Sequence, residues 1–251
     1  SQINMIISKA ISVLTCSNNK LDSIYDILTK DYAFSLEETN NILSIAPSIT
    51  GHNKDKIGSI YTFFQQKGIT SYKDINKIIS DAPTILTFSI NNIENFYKIF
   101  NTLNFSNEDI NMIIKRYSRV LTYNKDKIQI RYVFLLNQGL NNDQVKVLIK
   151  ELPSILSGSE EGLENKFNLY KKINIFDQLF EDNGKNIKNM ITSSEIVYAR
   201  WCQLKKEGNE VSIKSLFNIT NKRFEKIHGI SKNNLLNEYP ISQLDQERKN
   251  K

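Results

Sequence analysis

The sequence predicts an all-α fold: a superhelical solenoid of about six or seven repeats, each two helices and a short proline-initiated turn. Three observations predict it. Gly and Pro are scarce, 9 and 4 in 251 residues, which argues against the turn-rich sandwiches and barrels and for helices with short connections. A landmark recurs every 35 or 36 residues. Helix-start signals sit at the same offset after each recurrence. At 40% hydrophobic and 24% charged residues the chain is globular in composition, and its length is enough to bury a sizeable core.

The clearest landmark is a short motif. It reads Ala46-Pro47-Ser48-Ile49-Thr50, then Ala82-Pro83-Thr84-Ile85-Leu86, Tyr117-Ser118-Arg119-Val120-Leu121 and Leu152-Pro153-Ser154-Ile155-Leu156. A weaker copy, Ala10-Ile11-Ser12-Val13-Leu14, precedes them. The residue before a proline is pushed out of the α region, so Pro47, Pro83 and Pro153 each end a helix. Ser118 stands where the fourth proline belongs.

A second landmark keeps step with the first: Lys67-Gly68-Ile69, Leu103-Asn104-Phe105 and Gln138-Gly139-Leu140. Gly and Asn tolerate the left-handed conformation that closes a helix. After each comes a helix start, with Ser71 before Asp74, Ser106 before Asp109, and Asn141-Asn142 before Gln144. A side-chain oxygen and a first-turn acid there satisfy exposed backbone N–H groups. Ser35 with Glu38 repeats the pattern earlier, as a capping box. A fifth unit is blurred around Ile173-Asn174-Ile175, and Glu181 to Lys185 reads as a loop. Ser194 to Gly208 reads as a helix closed by its glycine, and Ser215 to Ile227 continues as a further unit. A helix pair of this size cannot bury its apolar stripe alone, whereas stacked neighbours bury it for one another. The expected organisation is one repeat domain over 1–232 and a polar C-terminal extension over 233–251.

This combination resembles the mitochondrial transcription termination factor (mTERF) family. Its elements are a helix ending in Gly-(Ile/Leu), a Ser/Asn cap, an acid-Ile/Val helix, and Pro-x-Ile-Leu. The resemblance spans roughly residues 10–230 and is strongest over Lys56–Leu86 and Ile128–Leu156. It extends to Ala199-Arg200-Trp201 and Ser215-Leu216-Phe217 near the end. It implies a curved helical superhelix whose basic concave face holds duplex DNA or structured RNA, working in organellar transcription or translation without catalysis. It further implies a mitochondrion or another organelle in a eukaryotic cell, and the cytoplasm in a bacterium.

The charge pattern points to candidate contacts. The net charge is +6, but it is unevenly spread. Residues 115–150 hold 8 Lys/Arg against 2 Asp/Glu, and residues 185–232 hold 10 against 4. Residues 151–184 between them hold 3 against 7, and residues 1–114 hold 9 against 11. Two basic blocks separated by an acidic one fit a polyanion track, with the acidic stretch expected to face away from it. The first block offers Lys115, Arg116, Arg119, Lys125, Lys127, Arg131, Lys146 and Lys150. Lys115 with Arg119, and Lys146 with Lys150 one repeat later, are expected to form a row along one wall, suited to a phosphate backbone. The second block offers Arg200, Lys205, Lys206, Lys222 and Arg223. Lys222 and Arg223 are expected at a helix start, where backbone donors also attract phosphate. Ordinary solvated placement is the alternative for both blocks. Tyr198 and Trp201 are read as core rather than as a stacking platform, as are Phe63, Phe64, Tyr97, Phe100, Tyr132 and Phe134.

Other classes of function find no footing. There is no Gly-rich phosphate loop, GxSxG or HExxH. His52 and His228 stand apart, Cys16 and Cys202 form no CxxC pair, and Glu37-Glu38 and Glu160-Glu161 are helix neighbours that do not face each other. The expectation is a non-enzyme with no cofactor and no metal. Apolar runs such as Val133-Phe134-Leu135-Leu136 are far too short to cross a bilayer, so no membrane partner is expected. Ser1-Gln2-Ile3-Asn4 opens no Arg-rich leader, so either none exists or the sequence begins after one. Nucleic acid is the expected partner, duplex DNA ahead of structured RNA. The alternative is a helical-repeat scaffold for a protein partner, which the non-basic first 114 residues favour.

Overall fold

The computed structural model describes residues 18–181, 186–191 and 193–242. Among them lie thirteen α-helices and no strand. The Ala10–Leu14 copy of the motif and most of the expected 181–185 loop lie outside the described residues. The fold is a helical-repeat solenoid, in agreement with the sequence.

Its regularity is exact in length. The longer helices are α3 (Lys54–Gln66), α5 (Ile90–Thr102), α7 (Lys125–Asn137), α9 (Glu160–Lys172) and α10 (Ser194–Lys206), each of 13 residues. The shorter ones are α2 (Leu36–Ile45), α4 (Tyr72–Asp81), α6 (Asn107–Arg116) and α8 (Asn142–Glu151), each of 10 residues. Helix α1 (Asn18–Asp26) precedes them, extended by a π turn over Ile27–Asp31. The chain continues into α11 (Ile213–Leu216), α12 (Asn221–His228) and α13 (Lys232–Glu238).

The helix starts follow the sequence closely. Ser35, Ser106 and Asn141 form complete capping boxes with Glu38, Asp109 and Gln144, and Ser71 accepts from the Asp74 N–H. The ends are equally periodic. Ala33, Gly68, Asn104, Gly139, Asn174 and Gly208 all have φ between +56° and +97°. Behind Gly68, Asn104 and Asn174 the next N–H reaches five residues back, as in Ile69 N–H to Phe64 O at 2.9 Å. This closes the helix by satisfying a carbonyl that would otherwise be unpaired. The unit blurred in sequence therefore keeps its helix end at Asn174. Around it the described residues form 3-10 turns over Asp177–Leu179 and Ile187–Ile191.

The proline-headed segments are 3-10 turns: Pro47–Gly51, Pro83–Thr87, Ser118–Thr122 and Pro153–Leu156. Ser118 does not break the pattern. It is buried, and its Oγ donates to Ile114 O at 3.0 Å, back onto the end of α6. Thr87, Thr122 and Ser157 each turn a hydroxyl onto the carbonyl three residues earlier, at 2.7 Å.

The chain divides into two compact units, 1–132 and 133–251, where the sequence predicted one domain. The boundary falls within α7. A stack of repeats has contacts chiefly between neighbours, so its contact density permits such a division. In the first unit α2, α4 and α6 pack side by side, α3 packs on α5, and the Pro47, Pro83 and Ser118 turns pack in succession. Ile, Leu and aromatic side chains from each layer form the core, among them Ile60, Phe64, Ile78, Tyr97, Phe100 and Ile113. In the second unit α8 carries the Pro153 turn, and α10 packs on α9, α11 and α13.

The extension expected from 233 onward begins as structure. Helix α13 buries Leu235, and Tyr239 Oη donates to Gln203 Oε1 at 3.2 Å. The polar appearance of Lys232–Glu238 hid this because one apolar residue docks so short a helix. Residues 243–251 lie outside the described part.

Candidate nucleic-acid interface

Within the first unit the cations of the first basic block sort by exposure. Lys115 and Arg116 end α6, placed where cations favour the helix dipole. Arg119 projects from the Ser118 turn, and Lys125 and Lys127 lie in the first turn of α7. All five are exposed. Lys115 is also engaged: its Nζ lies 2.6 Å from Asp74 Oδ2, with both side chains about two-fifths exposed. Beside them Tyr123 Oη donates to Tyr117 Oη at 2.9 Å, and both rings are half-buried.

Three expectations about this block need correction. Arg131 is 8% exposed, because the inward face of α7 carries it into the core beside Ile128 and Tyr132. It is no surface contact. Arg119 does not share a helix with Lys115, since α6 ends at Arg116 and the 3-10 turn intervenes. In repeat register Lys150 matches Lys115, while Lys146 matches Asn76 and Asn111. The four-charge row is therefore not built from equivalent positions. Lys146 and Lys150 are half-buried on α8 and belong to the second unit.

Asn76 and Asn111 perform a role the sequence reading missed. Asn111 Oδ1 accepts from Tyr97 Oη at 2.7 Å, and its Nδ2 donates to Lys67 O at 2.7 Å. Asn76 does the same one repeat earlier, with Tyr61 Oη at 2.6 Å and Tyr32 O at 2.7 Å. Tyr25 with Asn40 starts the ladder. The Asn76 and Asn111 amides each join a longer helix, a shorter helix and the carbonyl that closes the first helix of the preceding repeat. Burial pushes the Tyr61 and Tyr97 hydroxyls well above their ordinary value, so they remain donors. The Tyr-Asn spacing of 14 or 15 residues was the available signal.

In the second unit Lys205, Lys222 and Arg223 are exposed. Lys206 is exposed but paired with Glu238 at 2.8 Å. Arg200 is 3% exposed, which corrects its reading as a phosphate contact at the surface. Its Nη1 donates to Leu216 O at 2.6 Å and its Nη2 to Asn221 Oδ1 at 2.7 Å, while its guanidinium lies 5.3 Å from the Phe224 ring centre. Burial lowers its pKa below the ordinary arginine value. Tyr198 is buried and Trp201 half-buried, their rings stacked at 6.2 Å, as a core reading requires.

A family model described as mTERF matches residues 2–139, just over half of the chain. The chain belongs to the mTERF family. No curated protein matches it. The matched stretch holds the Tyr-Asn ladder and the five exposed cations of the first basic block that lie in the first unit. Beyond it the mTERF period continues in the helix ends at Asn174 and Gly208. Among the described residues no helix is long and apolar enough to cross a membrane, and no group of His, Cys, Asp and Glu is arranged to hold a metal ion.

Proposed function

We propose that this mTERF protein is a non-catalytic nucleic-acid-binding protein that grips a duplex by its phosphates and regulates organellar gene expression. One observation carries the reading. Arg116, Arg119, Lys125 and Lys127 are exposed at three successive element ends, those of α6, the Ser118 turn and α7. Cations on rigid element ends neutralise phosphates and release counterions without reading sequence. Tyr117 and Tyr123 support a duplex over an unpaired strand, because they bond to each other and lie half-buried rather than offering a stacking platform. Lys205, Lys222 and Arg223 are a second exposed group for the same chemistry. Family membership supports nucleic acid as the partner class.

The test is a salt titration with a short duplex. Arg119→Glu, Lys125→Glu and Lys127→Glu together should weaken binding to every sequence and flatten the plot of log affinity against log salt by about 2 to 3, near 0.9 per phosphate lost. A slope unchanged from the parent protein removes these residues from the interface.

A further inference from the structure

The second unit contains a feature that the duplex reading does not use. A cavity of about 520 Å³ opens between the N-terminal ends of α10 and α12 and the start of α13. Ser193, Glu195, Arg200 and Lys232 line it with polar groups, and Ile196 and Phe217 form part of an apolar wall. Its volume lies within the range of small-molecule sites.

Two independent observations give this cavity a positive, unsatisfied character. The first is the helix ends. Helix α12 opens with Asn221, Lys222 and Arg223 and has no acid in its first turn, whereas α6 has Glu108 and Asp109 there and α9 has Glu160 and Glu161. Cations at a helix start oppose the dipole, leaving a positive end uncompensated. Helix α10 differs: its first turn carries Glu195, and the Ser193 hydroxyl turns to that carboxylate rather than to the helix backbone. The second observation is Arg200. With two of its nitrogens held by Leu216 O and Asn221 Oδ1, its Nε is buried without a hydrogen-bond partner. It makes no ion pair with a carboxylate among the described residues. A buried charge without a counter-ion is costly, and an anion held in the cavity offsets it through space.

We propose that this cavity binds a phosphate monoester dianion, of the kind carried by a nucleoside monophosphate or by the 5′-phosphorylated end of a nucleic-acid strand. The N-terminus of α12, the uncompensated Arg200 charge and the Lys232 ammonium attract the anion, and the wall of Ile196 and Phe217 accepts a flat base beside it. Glu195 is the one opposing charge in the lining. The hydroxyl of Ser193 holds its carboxyl below the usual range, so it stays ionised and repels the dianion. The site uses none of the cations between 116 and 127, so it stands apart from the duplex reading.

The experiment compares phosphorylated and unphosphorylated probes at fixed ionic strength. Calorimetry with adenosine 5′-monophosphate and adenosine is one arm, and anisotropy with matched 5′-phosphate and 5′-hydroxyl single strands is the other. The phosphate should improve binding by about tenfold or more in at least one arm, the scale of a charge-assisted hydrogen bond. The arm that responds identifies the source of the group. Arg200 also holds α12 in place, so the variants are Lys232→Glu and Glu195→Gln, both at exposed positions. Lys232→Glu should abolish the phosphate preference, and Glu195→Gln should increase it. The Arg119/Lys125/Lys127 reversal should leave it unchanged, which separates failure here from failure of the duplex reading. Equal binding with and without phosphate in both arms overturns the proposal. So does a preference that neither Lys232→Glu nor Glu195→Gln alters.

Discussion

Asn111 is one side chain that closes three elements at once. Its carbonyl oxygen accepts from Tyr97 and its amide donates to Lys67 O, the last carbonyl before the left-handed turn at Gly68. Replacing it with alanine leaves a buried hydroxyl and a helix-end carbonyl without partners. Each such loss costs roughly 1–3 kcal/mol. Asn111→Ala should therefore lower the unfolding free energy by about 2–6 kcal/mol, read as a shift in urea midpoint at unchanged slope. A cost near zero would mean that water replaces the amide. Lys146 occupies the equivalent position one repeat later, so the ladder does not continue there in the same form. That substitution explains why a residue read as a phosphate contact is half-buried.

Helix ends were legible at the scale of the element, because their signals are local. A Ser or Asn cap with an acid three residues on, and a Gly or Asn two or three residues before the next cap, are decided within one turn of chain. Ala33 escaped notice because alanine carries no such signal, yet it adopts φ +56° at the first of the periodic ends. A left-handed alanine is strained by about 1 kcal/mol. Ala33 is exposed, so its methyl group contributes little packing. Ala33→Gly should raise stability by up to about 1 kcal/mol, offset in part by the greater freedom of glycine in the unfolded chain. Thermal unfolding compared with a matched Gly68→Ala variant, expected to lose stability, checks the sign. The fifth unit was legible only at its helix end. Asn174 keeps the left-handed turn there, so the period continues past it.

At the scale of the whole molecule, buried tyrosines set a limit on alkaline stability. Burial raises the hydroxyls of Tyr61, Tyr97 and Tyr170 above the ordinary value near 10. Below pH 10 both states keep the proton and stability is unaffected. Above it the unfolded chain releases protons that the folded chain retains, so stability falls as pH rises. Each group should contribute a loss of about 1.4 kcal/mol by pH 11. Urea unfolding at pH 8, 10 and 11 should show the decline beginning near 10, and Tyr170→Phe should reduce it. A midpoint unchanged between pH 8 and 11 would place these rings in contact with solvent.

The sequence by itself determined the period, the helix ends and the family, because each follows from interactions among residues a few positions apart. It also located the basic blocks, but not which of their cations reach solvent. Arg131 and Arg200 look like Arg119 in the sequence, yet they are buried. Lys115 and Lys206 are engaged by Asp74 and Glu238, which are distant in the chain. Tertiary structure decided those outcomes, because burial and ion pairing depend on which face of each helix meets a neighbouring repeat. The same packing brought the starts of α10, α12 and α13 around one cavity, a placement no local pattern encodes.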